Sequence, residues 1–231
     1  MERKRKAAEA ATDRVTDGMA VGLGTGSTVR YAIDRLGRRV AEGWDLVGVP
    51  TSLATAALAK NLGIPLTTLD EHPNLDLAID GADEVDPSLN LTKGLGGALL
   101  REKIVAAASK AFLVVVDESK IVGILGEKAP LPVEVLPFGA RRTQDALRDL
   151  GCQPTLWLEG GDPFRTDNGN YVTLCRFTGI PDPAGLARQL QAIPGVIEHG
   201  LFLDMAETVF VGRKGEVTEM RRPAPGAAGP R

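Results

Sequence analysis

Asp80, Asp83, Lys93 and Glu102 fall in one stretch of the chain, interleaved with Gly81-Ala82 and with Gly94-Leu95-Gly96-Gly97. A carboxylate that carries a proton between adjacent carbons, beside a cation that holds the developing enediolate oxygen, is what isomerising a sugar phosphate requires. A carboxylate is a weak base at its ordinary pKa, so partial burial of Glu102 is expected to raise it toward the working pH. Upstream, Gly24-Thr25-Gly26-Ser27-Thr28 joins glycines, which let a backbone approach an oxyanion, to three hydroxyls at a helix entry. Free N–H groups at such an entry favour anions, and a phosphate monoester fits this loop.

The elements that must bring these residues together are read from periodicity. Leu75 to Ile79 is a buried strand that ends where the acids begin, which sets Asp80 and Asp83 at a strand's C-terminal mouth, where open α/β sheets bind ligands. Of the neighbouring acids, Glu84 and Asp86 are expected to face water. Apolar residues recur with helical spacing after Gly97, which places Glu102 about a turn and a half inside a helix. Residues 3–16 read as a helix, Met19 to Leu23 as a strand, and the segment through Tyr31, Ile33 and Leu36 as a second helix. Leu46 to Val49 is a strand, Thr51 or Ser52 caps a helix to Leu62, Ile64 to Thr67 is a short strand, and Ala111 to Asp117 is a central one. This alternation predicts an α/β fold, Rossmann-like, with a mostly parallel sheet and helices on both faces.

After Lys120 the prolines Pro130, Pro132 and Pro137 and the alternating run Leu131 to Leu136 suit an edge or antiparallel strand. A helix from Arg141 to Leu150, a hairpin centred on Asp167-Asn168-Gly169 and a helix from Pro183 to Ala192 complete a smaller α+β lobe. Leu201 to Leu203 and Thr208 to Gly212 read as strands returning to the first domain. The expected organisation is a catalytic domain of residues 1–126 and 201–222, an inserted lobe of residues 127–200, and a disordered tail of residues 223–231.

Composition narrows the partner. With 27 basic and 30 acidic side chains among 231 residues the net charge is −3, which argues against nucleic acid or an anionic membrane and for a small molecule. No apolar run reaches bilayer length and no signal-peptide core follows the charged start, so a cytoplasmic location is expected. Cys152 and Cys175 match no metal or redox spacing, and no spacing links His72 and His199 into a zinc site. The glycine loop invites a dinucleotide reading but has Ser27 where that fingerprint needs glycine and Pro50-Thr51-Ser52 where it needs an acid. Clustered carboxylates also suit Mg²⁺, against which Lys93 would compete.

At these residues the sequence resembles ribose-5-phosphate isomerase of the A type. The resemblance rests on Gly24 to Thr28, Asp80 to Asp86, Lys93 to Lys103 and Leu131-Pro132-Val133-Glu134-Val135, with weaker agreement at Thr166 to Asn170 and Ala192 to Val196. It implies Glu102 as the base moving the proton between C1 and C2, Asp80 as the group assisting ring opening, Asp83 as a hydroxyl-positioning carboxylate and Lys93 as the oxyanion partner. It further implies that Thr25, Gly26, Ser27, Thr28 and Lys120 bind substrate and its phosphate, with Lys4 as a further phosphate partner and Gly81, Ala82, Gly94 and Gly96 beside the sugar. It implies a reaction with no metal and no cofactor, and a homodimer or homotetramer. The family's loop generally reads Lys-Gly-Gly-Gly, whereas Leu95 stands at the middle glycine, which matters if that residue needs a positive φ. A sugar-phosphate deaminase and a non-catalytic sugar-phosphate sensing domain are the alternative readings.

Overall fold

The computed structural model describes residues 1–222, so the tail expected at 223–231 lies outside the described residues. A six-stranded sheet is built from β1 (Ala20–Leu23), β2 (Val47–Pro50), β3 (Leu77–Asp80), β6 (Phe112–Asp117), β14 (Thr208–Gly212) and β15 (Val217–Arg221) in the order β15-β14-β6-β3-β1-β2. All neighbours are parallel except β15, which turns back along β14.

Side chains alternate between two cores, as the two-residue repeat of a strand requires. Val21, Leu23, Leu77, Ile79, Leu113, Val115 and Phe210 meet Ala7, Ala8 and Ala11 of α1 (Glu2–Thr12), Ala32, Ile33 and Leu36 of α2 (Val29–Ala41) and Ala59 of α3 (Leu53–Asn61). Ala78, Phe112, Val114, Val116, Val209 and Val211 face the other way, onto Val105 and Ala106 of α4 (Leu99–Ala107). On that second face also lies a three-stranded sheet of β4 (Glu84–Val85), β5 (Leu91–Thr92) and β13 (Leu201–Phe202). Each fully buried Val, Leu or Ile here contributes about 1.5–3 kcal/mol. Asp80 follows Ile79, so alternation turns it to the α4 face. Gly22 lets α4 approach: a Cβ there would stand 2.5 Å from Val105 Cγ1.

Between β6 and β13 the chain forms an antiparallel sheet in the order β12-β7-β11-β8, from β7 (Leu131–Val135), β8 (Gln153–Leu156), β11 (Tyr171–Arg176) and β12 (Val196–His199). A ribbon of β9 (Leu158–Glu159) and β10 (Asp162–Pro163) extends from it. Leu147 of α5 (Ala140–Arg148) and Leu186 and Leu190 of α6 (Pro183–Gln191) pack on Leu131, Val133 and Val135. β7 is antiparallel as expected but interior, not an edge. Its proline is tolerated because Gly200, which follows β12 and donates to Pro132 O at 2.8 Å, has its own carbonyl satisfied by Lys93 N at 2.8 Å and needs no donor from Pro132. The strand expected at Ile64 to Thr67 is reduced to a single bridge between Leu66 and Gly48.

Candidate active site

β1 and β3 lie side by side, Leu23 opposite Ile79, so the loop after β1 and the acid at the end of β3 share one corner of the sheet. Asp80 Oδ1 accepts from Gly81 N at 2.7 Å and from Thr25 N at 3.1 Å, which ties the two segments together. Gly24 makes room for this. A Cβ at that position would overlap the Asp80 carboxyl group.

Lys93 leaves β5 with its backbone N–H bonded to Gly200 O and its ammonium turned back under the sheet edge. Lys93 Nζ donates to Gly81 O at 2.7 Å and stands 3.0 Å from Asp80 Oδ2 and 3.2 Å from Glu102 Oε2. All three side chains are buried, each about 3% exposed. Two carboxylates against one ammonium leave a surplus negative charge in a dry place, and that is costly unless a proton is retained. Burial first, and Asp80's charge second, push the Glu102 carboxyl up to about 8 against the pull of Lys93. Burial also raises Asp80, opposed by Lys93 and by the N–H groups of Gly81 and Thr25. For Lys93 itself burial favours the neutral amine, but Asp80 and Glu102 outweigh it and the ammonium is held above its ordinary pKa. The ring of Phe202 supports that ammonium, its centroid 5.3 Å from Nζ.

The glycine loop resolves the question posed by Leu95. Gly94 and Gly97 take φ of +116° and +76°, and Leu95 is not among the residues with positive φ, so a side chain is accommodated without backbone strain. Leu95 N–H donates to Asp83 Oδ2 at 3.0 Å. Burial raises the Asp83 pKa, with this N–H, Lys93 and Lys120 acting against it. The left-handed turn at Gly97 delays the helix to Leu99, so Glu102 is its fourth residue, closer to the helix N-terminus than the sequence spacing implies.

These segments enclose a cavity of about 240 Å³. Lys4, Thr25, Gly26, Ser27, Thr28, Gly81, Ala82, Asp83, Lys93, Gly94, Gly96, Glu102 and Lys120 all line it, and Asp80 stands behind the wall that Gly81 and Thr25 form. One end is cationic: Lys4 Nζ donates to Ser27 Oγ at 3.1 Å, and Lys120 enters from the short 3₁₀ turn Glu118–Lys120 that follows β6.

Four details depart from the sequence reading. Thr25 Oγ1 lies in a knot of hydroxyls, 2.8 Å from Thr51 Oγ1 and Ser52 Oγ and 3.1 Å from Thr55 Oγ1, so its hydroxyl is engaged by the protein. The only trace of that knot in the sequence is Thr51-Ser52 before a helix, which reads as a cap; Ser52 is the cap, accepting from Thr55 N. Glu84 does not face water: it is fully buried and accepts from Gly126 N, Lys128 N and Ala129 N, a structural anchor. Asp86 closes its own turn by accepting from Ser88 N and Asn90 N. Val29 and Leu95 add apolar wall that sequence reasoning had not assigned to the cavity.

A family model described as ribose 5-phosphate isomerase A (phosphoriboisomerase A) matches residues 47–216. The chain belongs to the ribose-5-phosphate isomerase A family. The ribose-5-phosphate isomerase A of Roseiflexus castenholzii is 53% identical over 223 residues, covering 95% of each chain. The structure of ribose 5-phosphate isomerase A from Methanocaldococcus jannaschii superimposes with a TM-score of 0.91 at 42% identity, over 95% of this chain and 98% of that one. A D-ribose-5-phosphate isomerase solved in complex with phospho-erythronic acid gives a TM-score of 0.93 at 42% identity, over 96% and 98%. The chain is therefore a pentose phosphate isomerase by family, and the α/β architecture with its accessory antiparallel sheets is that of ribose-5-phosphate isomerase A structures.

Proposed function

We propose that the 240 Å³ cavity interconverts D-ribose 5-phosphate and D-ribulose 5-phosphate through an enediolate, with Glu102 as the proton carrier. The observation that carries this reading is the Glu102 carboxylate set 3.2 Å from the Lys93 ammonium in a cavity whose far end holds Ser27, Thr28, Lys4 and Lys120. The phosphate binds at that far end, on loop N–H groups, hydroxyls and two cations. In the open-chain aldose Glu102 removes the C2 proton, the C2–H electron pair forms the C1–C2 double bond, and negative charge moves to O1 beside Lys93. The O2 proton moves to O1, and Glu102 returns its proton to C1 to give the ketose. Asp80 assists ring opening and Asp83 holds substrate hydroxyls. Glu102 carries the carbon-bound proton and Lys93 the oxyanion charge, so turnover should be indifferent to a chelator.

Phospho-erythronic acid in the neighbouring structure is a phosphorylated sugar acid, which supports the fit of a phosphorylated open chain to such a pocket. A sensing domain would not need Glu102 where it stands, and a deaminase would release ammonia, which an assay for free ammonia during turnover excludes. The test is Glu102→Gln, which keeps the shape and removes the base: kcat should fall at least ~10³-fold with KM changed only a few-fold. Undiminished kcat in that variant would remove Glu102 from the mechanism.

The enzyme is further read as cytoplasmic, acting on a small sugar phosphate rather than on nucleic acid or a membrane. No helix among the described residues is long and apolar enough to cross a membrane, and the net charge is −3. Residues 1–126 with 201–222 are read as the catalytic domain and 127–200 as an inserted lobe. A homodimer or homotetramer is supported by apolar side chains left in water on the lobe, Phe138 89% exposed and Leu136 and Ile197 each 41%. Light scattering behind a sizing column measures this directly; a monomer at working concentration contradicts it.

A further inference from the structure

Among the contacts between the antiparallel lobe and the catalytic corner, one turn reaches both α3 and α4. Thr166 N–H donates to Asn170 O and Gly169 N–H to Thr166 O, both at 2.9 Å, which closes the turn on itself. It is also held from beneath. Oε1 of Glu134, fully buried on interior strand β7, accepts from Thr166 Oγ1 at 2.9 Å, Asn168 Nδ2 at 3.1 Å and Asn170 Nδ2 at 2.9 Å. The tip then grips two helices of the other unit. Asp167 Oδ2 accepts from Leu53 N at 2.7 Å, at the start of α3. Arg101 on α4 gives its Nε to Asn168 Oδ1 at 2.9 Å and its Nη2 to Asp167 O at 3.0 Å, with Nη1 3.8 Å from Asp167 Oδ2.

The neighbours of these grip points lead to the cavity: Glu102 lines it, and Ser52 bonds Thr25, which does. Leu53 follows Ser52, whose hydroxyl lies in the knot with Thr25 behind the phosphate loop, and Arg101 precedes Glu102. The α3 N-terminus already has its own cap in Ser52, so Asp167 is not needed for that helix to exist. No residue of the turn lines the cavity.

We infer that the Asp167-Asn168 turn is a positioning strap: by holding the start of α3 and Arg101 of α4 on one stiff tip, it fixes the distance between the phosphate loop and the proton-carrying carboxylate. This rests on the assignment of Glu102 and of the Ser27–Thr28 end made above. Small displacements matter here, because misplacing a reacting group by about 1 Å can cost ~100-fold in rate.

Asp167→Ala, Asp167→Asn, Arg101→Met and the Asp167→Ala/Arg101→Met double variant test it, using steady-state kinetics, inhibition by inorganic phosphate and thermal unfolding. Both side chains are about a third exposed, so folded variants are expected. Asp167→Ala should raise KM for ribose 5-phosphate and Ki for inorganic phosphate in parallel, by roughly 5–20-fold, since the loss of one charged hydrogen bond is of that order. Asp167→Asn, which keeps an acceptor for Leu53 N–H, should recover most of that loss. Arg101→Met should lower kcat about tenfold with the phosphate Ki unchanged. Because both changes cut one strap, the double variant should fall short of the product of the single effects. Kinetics like the parent enzyme's, with only the melting temperature lowered, would overturn the proposal, and so would strictly multiplicative effects. Retained turnover in Glu102→Gln would instead overturn the base assignment, while the phosphate Ki of Asp167→Ala would still report on the strap.

Discussion

Glu102 is set by a contest between burial and a single ammonium 3.2 Å away, and burial with Asp80 wins. The rate should therefore climb with pH as the carboxyl ionises, giving kcat/KM a limb near pH 8 in the free enzyme. That limb belongs to the coupled group of Asp80, Lys93 and Glu102 rather than to one residue. Stability should move the opposite way. A carboxyl whose pKa rises from 4.5 in the unfolded chain to about 8 in the folded protein keeps a proton that the unfolded chain has released. Its stabilising contribution is thus full at low pH and is lost as pH rises through that window. Thermal unfolding at pH 5 and pH 8 should show a smaller drop for Glu102→Gln than for the parent; an equal drop would mean Glu102 is ionised throughout. Lys93→Ala leaves two buried carboxylates facing each other, so we expect a loss of about 3–5 kcal/mol in chemical denaturation together with the loss of turnover. A stability change below ~1 kcal/mol would show that water reaches the cluster.

Among the elements, the strand-to-loop corner at Gly24 is the most demanding. With the Asp80 carboxyl occupying the space of its absent side chain, Gly24→Ala should displace Asp80 and lower kcat about tenfold or more, and unchanged kinetics would show that the loop can swing aside. Periodicity revealed the doubly buried strands β1, β3 and β6 and the helices between them, because each strand is an unbroken buried run set between helical repeats. The same reading set Asp80 at the end of β3 and Glu102 inside the helix after the glycine loop, and the chemistry of the residue types, not periodicity, joined Lys93 to them. It found β13 in the apolar run Leu201 to Leu203 but was blind to β4 and β5, where two residues carry no period at all, and to β15, a half-exposed edge strand that gains its order by pairing with β14. Glu84 looked like a solvated acid because a side chain satisfied by backbone N–H groups of residues 126–129 leaves no local mark. The prolines left β7 readable as an edge or an antiparallel strand, because only the tertiary register shows that the carbonyl facing Pro132 takes its hydrogen bond from Lys93 N.

In the molecule as a whole, the α/β sheet is a rigid floor for chemistry and the antiparallel lobe a brace reaching back to it. The chemistry on that floor reduces to one carboxylate moving hydrogen between C2 and C1. Proton NMR of ribose 5-phosphate in deuterated buffer, with the parent enzyme and with Glu102→Gln at equal concentration, examines that transfer without relying on net conversion. The parent enzyme should exchange the C2 proton for deuterium as it turns over, and Glu102→Gln should leave the C2 signal intact while still binding substrate. Loss of the C2 signal at the parent rate in Glu102→Gln would contradict this.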